Sequence, residues 1–466
     1  MKKIFTFFFA AAISATAFAQ GFVSPGNGTT YTLADLAKIE GTGVSMVEGA
    51  WQLDAAFTIS DGDVLKIQNN EVVKFSQGVQ VEVQGTLNCA PADTALVTAV
   101  EGTAPKGFRM YSDNAKAVLK NTRFEYVGFT FGAANGNIKA ENCTFYKNNA
   151  SIASGAAINF SASGTGNVID RCNFLEGATA AVGNGANTPI GIKITNSFFY
   201  ANNSKNSNRP QINLTSYGTE DVEISNNVII GGHYTKVGGI ALSNMMGYSY
   251  SNKVVVKNNL VKENRYGINM TGPMNIEIVD NDIIDNIYET NANNGGSAIS
   301  LYDSAGKGKV LVKGNLMQNN LWGITVIGAP AVNAGKVEDP AAEDYNPGEN
   351  VFINNGNGGV LYDLYNNGTS TVYAQGNIWN VEVQDSASIE QVVFHKVDNP
   401  DLGLVIFMPA GKQEPSSVTD VKTTAPVESV SYVNLMGRES AVPFEGVNIV
   451  VTRYTDGTVS AVKQLR

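Results

Sequence analysis

The sequence predicts an all-β solenoid, a parallel β-helix, on three observations. A unit of strand, polar pair and bulky apolar residue recurs along the 466 residues; the stretch VVVKNNLVKENRYGINM (Val254 to Met270) is one copy. The second position of the pair falls at Thr122, Cys143, Cys172, Ser197, Asn227, Asn259, Asn281, Asn315, Asn350 and Asn377. The intervals run from 21 to 35 residues, with a mean of about 28, where repeat architectures lie. Around this anchor the columns agree. Two residues on stands Phe124, Phe145, Phe174, Phe199, Ile229, Val261, Ile283, Met317, Phe352 or Trp379, and before it pairs such as Val254/Val256 and Ile276/Ile278 alternate with the period of a half-buried strand. The composition agrees too: 48 Gly, abundant Asn and only 16% charged residues do not make helices.

The elements follow in chain order. Met1-Lys2-Lys3, an apolar run to Phe18 and Ala17-Phe18-Ala19 read as a secretory signal peptide over 1–19. The run is too short to span a bilayer, and no other stretch can, so the reading is an exported protein with no membrane span. Loss of Lys2 and Lys3 takes the formal net charge from −10 to −12. Such acidity excludes the basic footprint of a nucleic-acid binder and disfavours polyanions unless a cation bridges them. Residues 20–60 read as an N-terminal cap over the first coil, because an open sheet edge invites aggregation. Within them TLADLAKIEGTGV reads as one short helix, apolar at Leu33, Leu36, Ala37 and Ile39.

Residues 61–409 carry the coils. A second strand signal, Gly-apolar-x-apolar, starts at Gly239, Gly267, Gly323 and Gly359. Each unit thus holds two or three short strands and cannot bury its own face, so units stack with strands in parallel, about 4.8 Å apart. Asn belongs at the sharp corners because it tolerates left-handed backbone angles, and its amide can bond along the stack. A leucine-rich horseshoe also has an Asn column, but here Val, Ile and Phe replace Leu and no outer helix can be read. The three cysteines, Cys89, Cys143 and Cys172, form no disulfide framework or zinc motif. Cys143 and Cys172 fall in adjacent coils, where the coil spacing exceeds the roughly 3.8 Å between Cβ atoms of a relaxed bridge and favours free thiols. Gly328 to Asn350 is the longest insertion, a lid, a rim or a spacer.

The repeats, with GDVLKIQNNEVVKFSQGVQVEVQGTLNCAPADTALVTAV (Gly62 to Val100) and GFRMYSDNAKAVLKNTRFEYVG (Gly107 to Gly128), resemble the right-handed parallel β-helix of the pectate-lyase-like superfamily in Bacteroidetes. The resemblance covers Asp61 to Val381 and is specific for fold, not activity. Residues 410–429 are polar, with Pro, Ser and Thr, and read as a linker. Residues 430–466 resemble the C-terminal sorting domain of the type IX secretion system, through Tyr432-Val433-Asn434-Leu435-Met436-Gly437, Pro443, Gly446, Val447 to Val451, Asp456-Gly457-Thr458 and Lys463. That resemblance implies the secretion machinery as a partner and a secreted or outer-surface location. Three tripeptides starting at Asp93, Asp303 and Asp385 resemble the O-glycosylation sequon of these bacteria.

Enzymes of the resembled superfamily cut acidic polysaccharides with an Arg or Lys base beside calcium-binding carboxylates, or with Asp residues on adjacent coils plus a His. Neither set can be assembled here. The two histidines, His233 and His395, lie outside such a pattern, and no catalytic residue is assigned. Asp280, Asp282 and Asp285 form the densest acidic cluster, a calcium candidate by its oxygen ligands and otherwise a solvated turn; no cofactor other than calcium is implied. Arg265 and Arg209 stand in loops. Tyr266 and Trp322 each sit seven residues after an anchor, hence in one column two coils apart, about 9.6 Å. Two such rings suit stacking on an extended glycan, or packing against the next coil. The expectation is an exported, cell-surface protein that binds extended polysaccharide through Tyr266, Trp322 and Arg265. The alternatives are a polysaccharide lyase or hydrolase with an unrecognised site, and an adhesin for protein, which exposed hydrophobic ladders on one face would favour.

Overall fold

The computed structural model describes residues 21–148, 155–289, 291, 294–412, 425–434, 439–444 and 447–465. The signal peptide and most of the linker lie outside them. The chain winds into a parallel β-helix, each coil giving a strand to each of three sheets. Sheet A has 13 strands, from Phe57–Ile59 to Val393–Phe394. Sheet B has 14, from Thr30–Thr32 to Val405–Ile406, and sheet C 13, from Val44–Val47 to Val351–Ile353.

The N-terminal segment does more than cover an edge. Thr30–Thr32, Ala50–Leu53 and Phe57–Ile59 pair in parallel with Val64–Lys66, Val72–Phe75 and Gln80–Val83, so it extends all three sheets. The short helix is Leu33–Leu36, opened by a capping box between Thr32 and Asp35. Leu33 and Leu36 turn inward, while Ala37 faces solvent. Asp63 is fully buried and ties the entry down by accepting from the N–H groups of Gly26, Gly28 and Thr29 at 2.8–2.9 Å. Burial alone would raise its carboxyl, but these donors and Ser24 hold it below the usual carboxylate range.

The corner between sheets B and C divides the work of the Asn pair. The first residue takes the left-handed backbone, with φ of 51° at Asn196, 58° at Asn226 and 54° at Asn258. The second is buried and builds the ladder. The backbone N–H and the Nδ2 of Asn227, Asn259, Asn281, Asn315 and Asn350 each donate to Oδ1 of the next Asn in the column, ending at Asn377, at 2.9–3.0 Å. Nδ2 also reaches back to a carbonyl of the preceding coil, as Asn281 does to Val256 at 3.0 Å. Every corner donor is thereby satisfied without water. Thr122, Cys143, Cys172 and Ser197 fill the same column, all buried.

A second ladder runs through Asn264, Asn286, Asn320 and Asn355, with bonds of 3.0–3.3 Å. It marks the next corner, where Glu263, Asp285, Asn319 and Asn354 take the left-handed turn. Beside Asn355, the last Asn of this ladder, stands Asp363, fully buried. Its Oδ2 accepts from the Asn380 N–H at 2.7 Å, while Oδ1 meets no donor in hydrogen-bonding geometry.

Between the ladders the column two residues after the anchor forms the core. Phe124, Phe145, Phe174 and Phe199 stack at 5.3, 4.7 and 4.8 Å, and Phe352 stacks on Trp379 at 5.0 Å. The three thiols are free and buried. Burial pushes the Cys89 thiol up to about 12 and that of Cys172 upward.

Two expectations are corrected. The strand signal from Gly359 to Tyr362 does not join a sheet of the solenoid; Gly356–Asn357 and Val360–Leu361 form an exposed antiparallel hairpin. The sheet A strand is Leu364–Gly368, because Leu364 is the residue that reaches the core opposite Ile324. The Gly328 to Asn350 insertion is not one loop: Ala331–Asn333 joins sheet B, and the rest folds back through a Lys336–Asn346 bridge and a Lys336–Asp344 ion pair of 2.5 Å. At the C-terminus, Glu439–Ser440, Val427–Asn434, Val447–Tyr454 and Val459–Leu465 make a separate antiparallel sheet in that order. It begins inside the stretch read as linker.

Candidate functional site

Sheet A turns alternate residues outward, and their register forms two parallel stripes. One runs Asn213, Ala241, Asn269, Ser300, Thr325, Tyr365 and Phe394; the other runs Thr215, Ser243, Thr271, Tyr302, Ile327 and Asn367. Small polar side chains dominate until Tyr365, so the face is a shallow trough with an abrupt aromatic step. A cleft of about 360 Å³ lies at that step. Its floor is Asn269, Ser297, Ser300 and Thr325, with Ser297 and Thr325 joined through their hydroxyls at 2.8 Å. Thr271 donates to Asn269 Oδ1 at 2.9 Å and fixes which way that amide faces.

Arg265, Tyr266 and Trp322, read from the sequence, all line this cleft. Tyr266 and Trp322 hold the same register two coils apart, with Ser297 in the coil between. The rings lean away from each other. Tyr266 lies over Gly238, where a Cβ would come within 2.1 Å of the ring, and Trp322 stacks on Tyr365 at 4.7 Å and 24°. One face of each ring is thus taken, and the pair walls a gap instead of making one flat platform. Burial pushes the Tyr266 hydroxyl up to about 12, against the pull of Arg265, so near neutral pH it is a proton donor, not a base. Arg265 is held by Asn208 Oδ1 at 2.5 Å and by the Asn294 carbonyl. It makes no ion pair among the described residues, and its Nε, like Trp322 Nε1, is a buried donor that meets no acceptor there.

The lining therefore holds one cation, three aromatic rings and seven amide or hydroxyl side chains, with no carboxylate. The chain as a whole is acidic, but the lining of this cleft is not. Sequence reasoning missed Asn208, Asn294, Tyr365 and Asn367, which come from loops and strands whose spacing from the anchor varies. None of residues 329–350 lines the cleft, since that insertion sits between sheets B and C.

Asp280 and Asp282 are exposed at the B–C corner, and Asp285 accepts from Asn319 Nδ2 at 3.0 Å. Among the described residues, the group whose ligand atoms lie together is instead Glu390, His395 and Asp398. There His395 Nδ1 accepts from the Val405 N–H and Nε2 meets Glu390, both at 2.8 Å, so both ring nitrogens pin the last coil. His233 is exposed, stacks on Tyr288 at 4.2 Å and meets Glu263 at 3.2 Å. Thr94, Ser304 and Ser386 of the three tripeptides are exposed.

No family model matches the sequence, and no curated protein matches it. Among solved structures the chain is similar to the periplasmic alginate epimerase AlgG, at 11% identity and a TM-score of 0.44 over 81% of this chain and 83% of that one. A point mutant of that epimerase gives 11% and 0.45 over the same shares.

Proposed function

We propose that the protein is an exported, cell-surface β-helix that binds extended polysaccharide in the cleft on sheet A, and that its C-terminal sheet is a sorting-type domain addressed by the secretion machinery. The observation that carries the reading is the lining of the cleft. Amide and hydroxyl side chains match a hydroxyl-rich ligand, ring faces match the apolar face of a sugar, and Arg265, free of a carboxylate partner among the described residues, suits an acidic sugar. The local charge removes the objection that the net charge raises against polyanions.

The test is retention of the full chain on immobilised neutral and acidic polysaccharides, with and without calcium, while new chain ends are followed. Retention without new ends supports binding. Arg265→Ala should weaken retention on acidic polymers by about 1.5–3 kcal/mol, the value of a charge-assisted hydrogen bond, or roughly ten- to a hundredfold. New chain ends would make it a lyase or hydrolase instead.

A specific observation favours adhesion to protein as a second reading. The outer face of sheet C is an apolar ladder, with Phe198, Val228, Leu260, Leu316 and Val351 in one register column and Leu175, Tyr200, Ile230, Ile284 and Ile353 in the other. Only Asp282, Lys262 and Gln318 interrupt these runs. Failure of a well-folded sample to be retained on any polysaccharide would move this reading to first place.

A further inference from the structure

Resting on the polysaccharide reading, we infer that the cleft receives the end of a polysaccharide chain, its terminal ring against Trp322 and the chain running over sheet A toward the N-terminal coils. Trp322, Tyr365 and Phe394 stack at 4.7 and 4.8 Å, with interplanar angles of 24° and 16°. Those spacings match the rise from coil to coil, about 4.8 Å. The rings are therefore piled along the helix axis with their planes across it. Tyr362 braces the pile edge-on, at 5.8 Å from Trp322 and 5.6 Å from Phe394.

The pile occupies the stripe that the floor follows. Tyr365 is in register with Thr325, and Phe394 with Tyr365. A chain lying on Asn269, Ser300 and Thr325 meets the pile head-on. The side of Trp322 away from Tyr365 is the wall it meets, a ring face turned along the chain's own direction. A terminal sugar can lie flat against such a face. An internal sugar linked axially on both faces, as in polygalacturonate, cannot, because its onward linkage would have to pass through Tyr365 and Phe394.

In the other direction the stripe stays open. Ala241, Asn213 and Gly183 follow Asn269 with small side chains. Tyr217 and Tyr248, with rings 4.7 Å apart, flank the ends of the strands Ile212–Thr215 and Ile240–Ser243. Tyr248 is 41% exposed, so that rim is available to residues further down the chain. One end of the trough is blocked by stacked rings and the other leads away over several coils.

The experiment uses the full chain with two probe series: polygalacturonate with its oligomers from dimer upward, and xylan with xylo-oligosaccharides. Chain-end recognition predicts one bound protein per polymer chain at every length, and an affinity per chain that levels off once the oligomer passes Tyr248. Tyr248→Ala should lower affinity for long oligomers and leave the shortest unchanged. Trp322→Ala should lower the affinity for every oligomer, the shortest included, while Tyr365 and Phe394 keep one protein per chain, with Trp322→Phe restoring most of the affinity. Stoichiometry that grows with polymer length in the unaltered protein overturns the inference while leaving glycan binding standing. Absence of retention on every probe, with the fold verified, overturns the glycan reading and this inference with it.

Discussion

Asp363→Asn should stabilise the C-terminal coils, and by an amount that depends on pH. Asp363 is buried beside the last Asn of the second ladder, and that burial pushes its carboxyl from the ordinary 3.8 up to about 7, against the Asn380 N–H and the nearby Asn355 side chain. The folded state therefore holds a proton that the unfolded chain releases. Below pH 4 both states are protonated and the group is neutral to stability. As pH rises from about 4 to 7 the unfolded state loses its proton first, so stability falls, and above 7 the loss is complete. A gap of about three in pKa, at 1.36 kcal/mol each, makes the full loss about 4 kcal/mol. Asn has the same shape, keeps an oxygen for the Asn380 N–H and carries no charge to desolvate. In a solenoid the effect is felt by the neighbouring coils before the whole rod, so the assay is native-state hydrogen exchange of Leu364–Gly368 and Val393–Phe394 at pH 5 and pH 8. The variant should gain protection at pH 8 and much less at pH 5. Equal or lower protection of the variant at pH 8 would refute the claim that a buried charge is being carried there.

Three further outcomes are expected. Asn281→Ala removes the acceptor for the Asn259 N–H and Nδ2 and a donor to Asn315; with each stranded buried group costing about 1–3 kcal/mol, chemical denaturation should show a loss of at least about 3 kcal/mol. Gly238→Ala places a methyl 2.1 Å from the Tyr266 ring, so it should displace that wall of the cleft and weaken polysaccharide retention while the circular dichroism of the β-helix persists. Cys89 and Cys172, buried and with thiol pKa values pushed upward, should resist an aromatic disulfide reagent in the native protein and react fully once it is unfolded.

The architecture was legible because a corner imposes the same demand in every coil. The anchor column, from Thr122 to Asn377, could be read from spacing alone, and all of it is buried. The second ladder was equally written: Asn264, Asn286, Asn320 and Asn355 each fall five residues after an anchor. It is the fainter signal because it runs through four coils only, against ten anchor positions in the first column. The cleft was half legible. Arg265, Tyr266 and Trp322 keep fixed distances from the anchor, whereas the Gly356–Leu361 hairpin shifts Tyr365 out of phase and hides its partnership with Trp322. The lean of the rings was not legible at all, since it depends on Gly238 leaving room in the coil before.

The ladder bonds all point one way. Each anchor Asn gives its backbone N–H and one Nδ2 hydrogen to the Asn of the coil that follows, while that coil returns its own N–H groups to carbonyls and not to Asn side chains. A chain laid down from its N-terminus therefore carries one open set of donors at its growing edge, closed only when the next coil arrives. The last side-chain amide is closed by carbonyls, Asn377 Nδ2 reaching Ala334 and Ala374 at 2.9 and 2.7 Å. Between Asn227 and Asn377 the balance of donors in the anchor ladder is the same whichever whole coil is removed or duplicated. For this ladder, length is thus adjustable in whole turns, while a cut through the middle of a turn leaves anchor donors without their Asn acceptor.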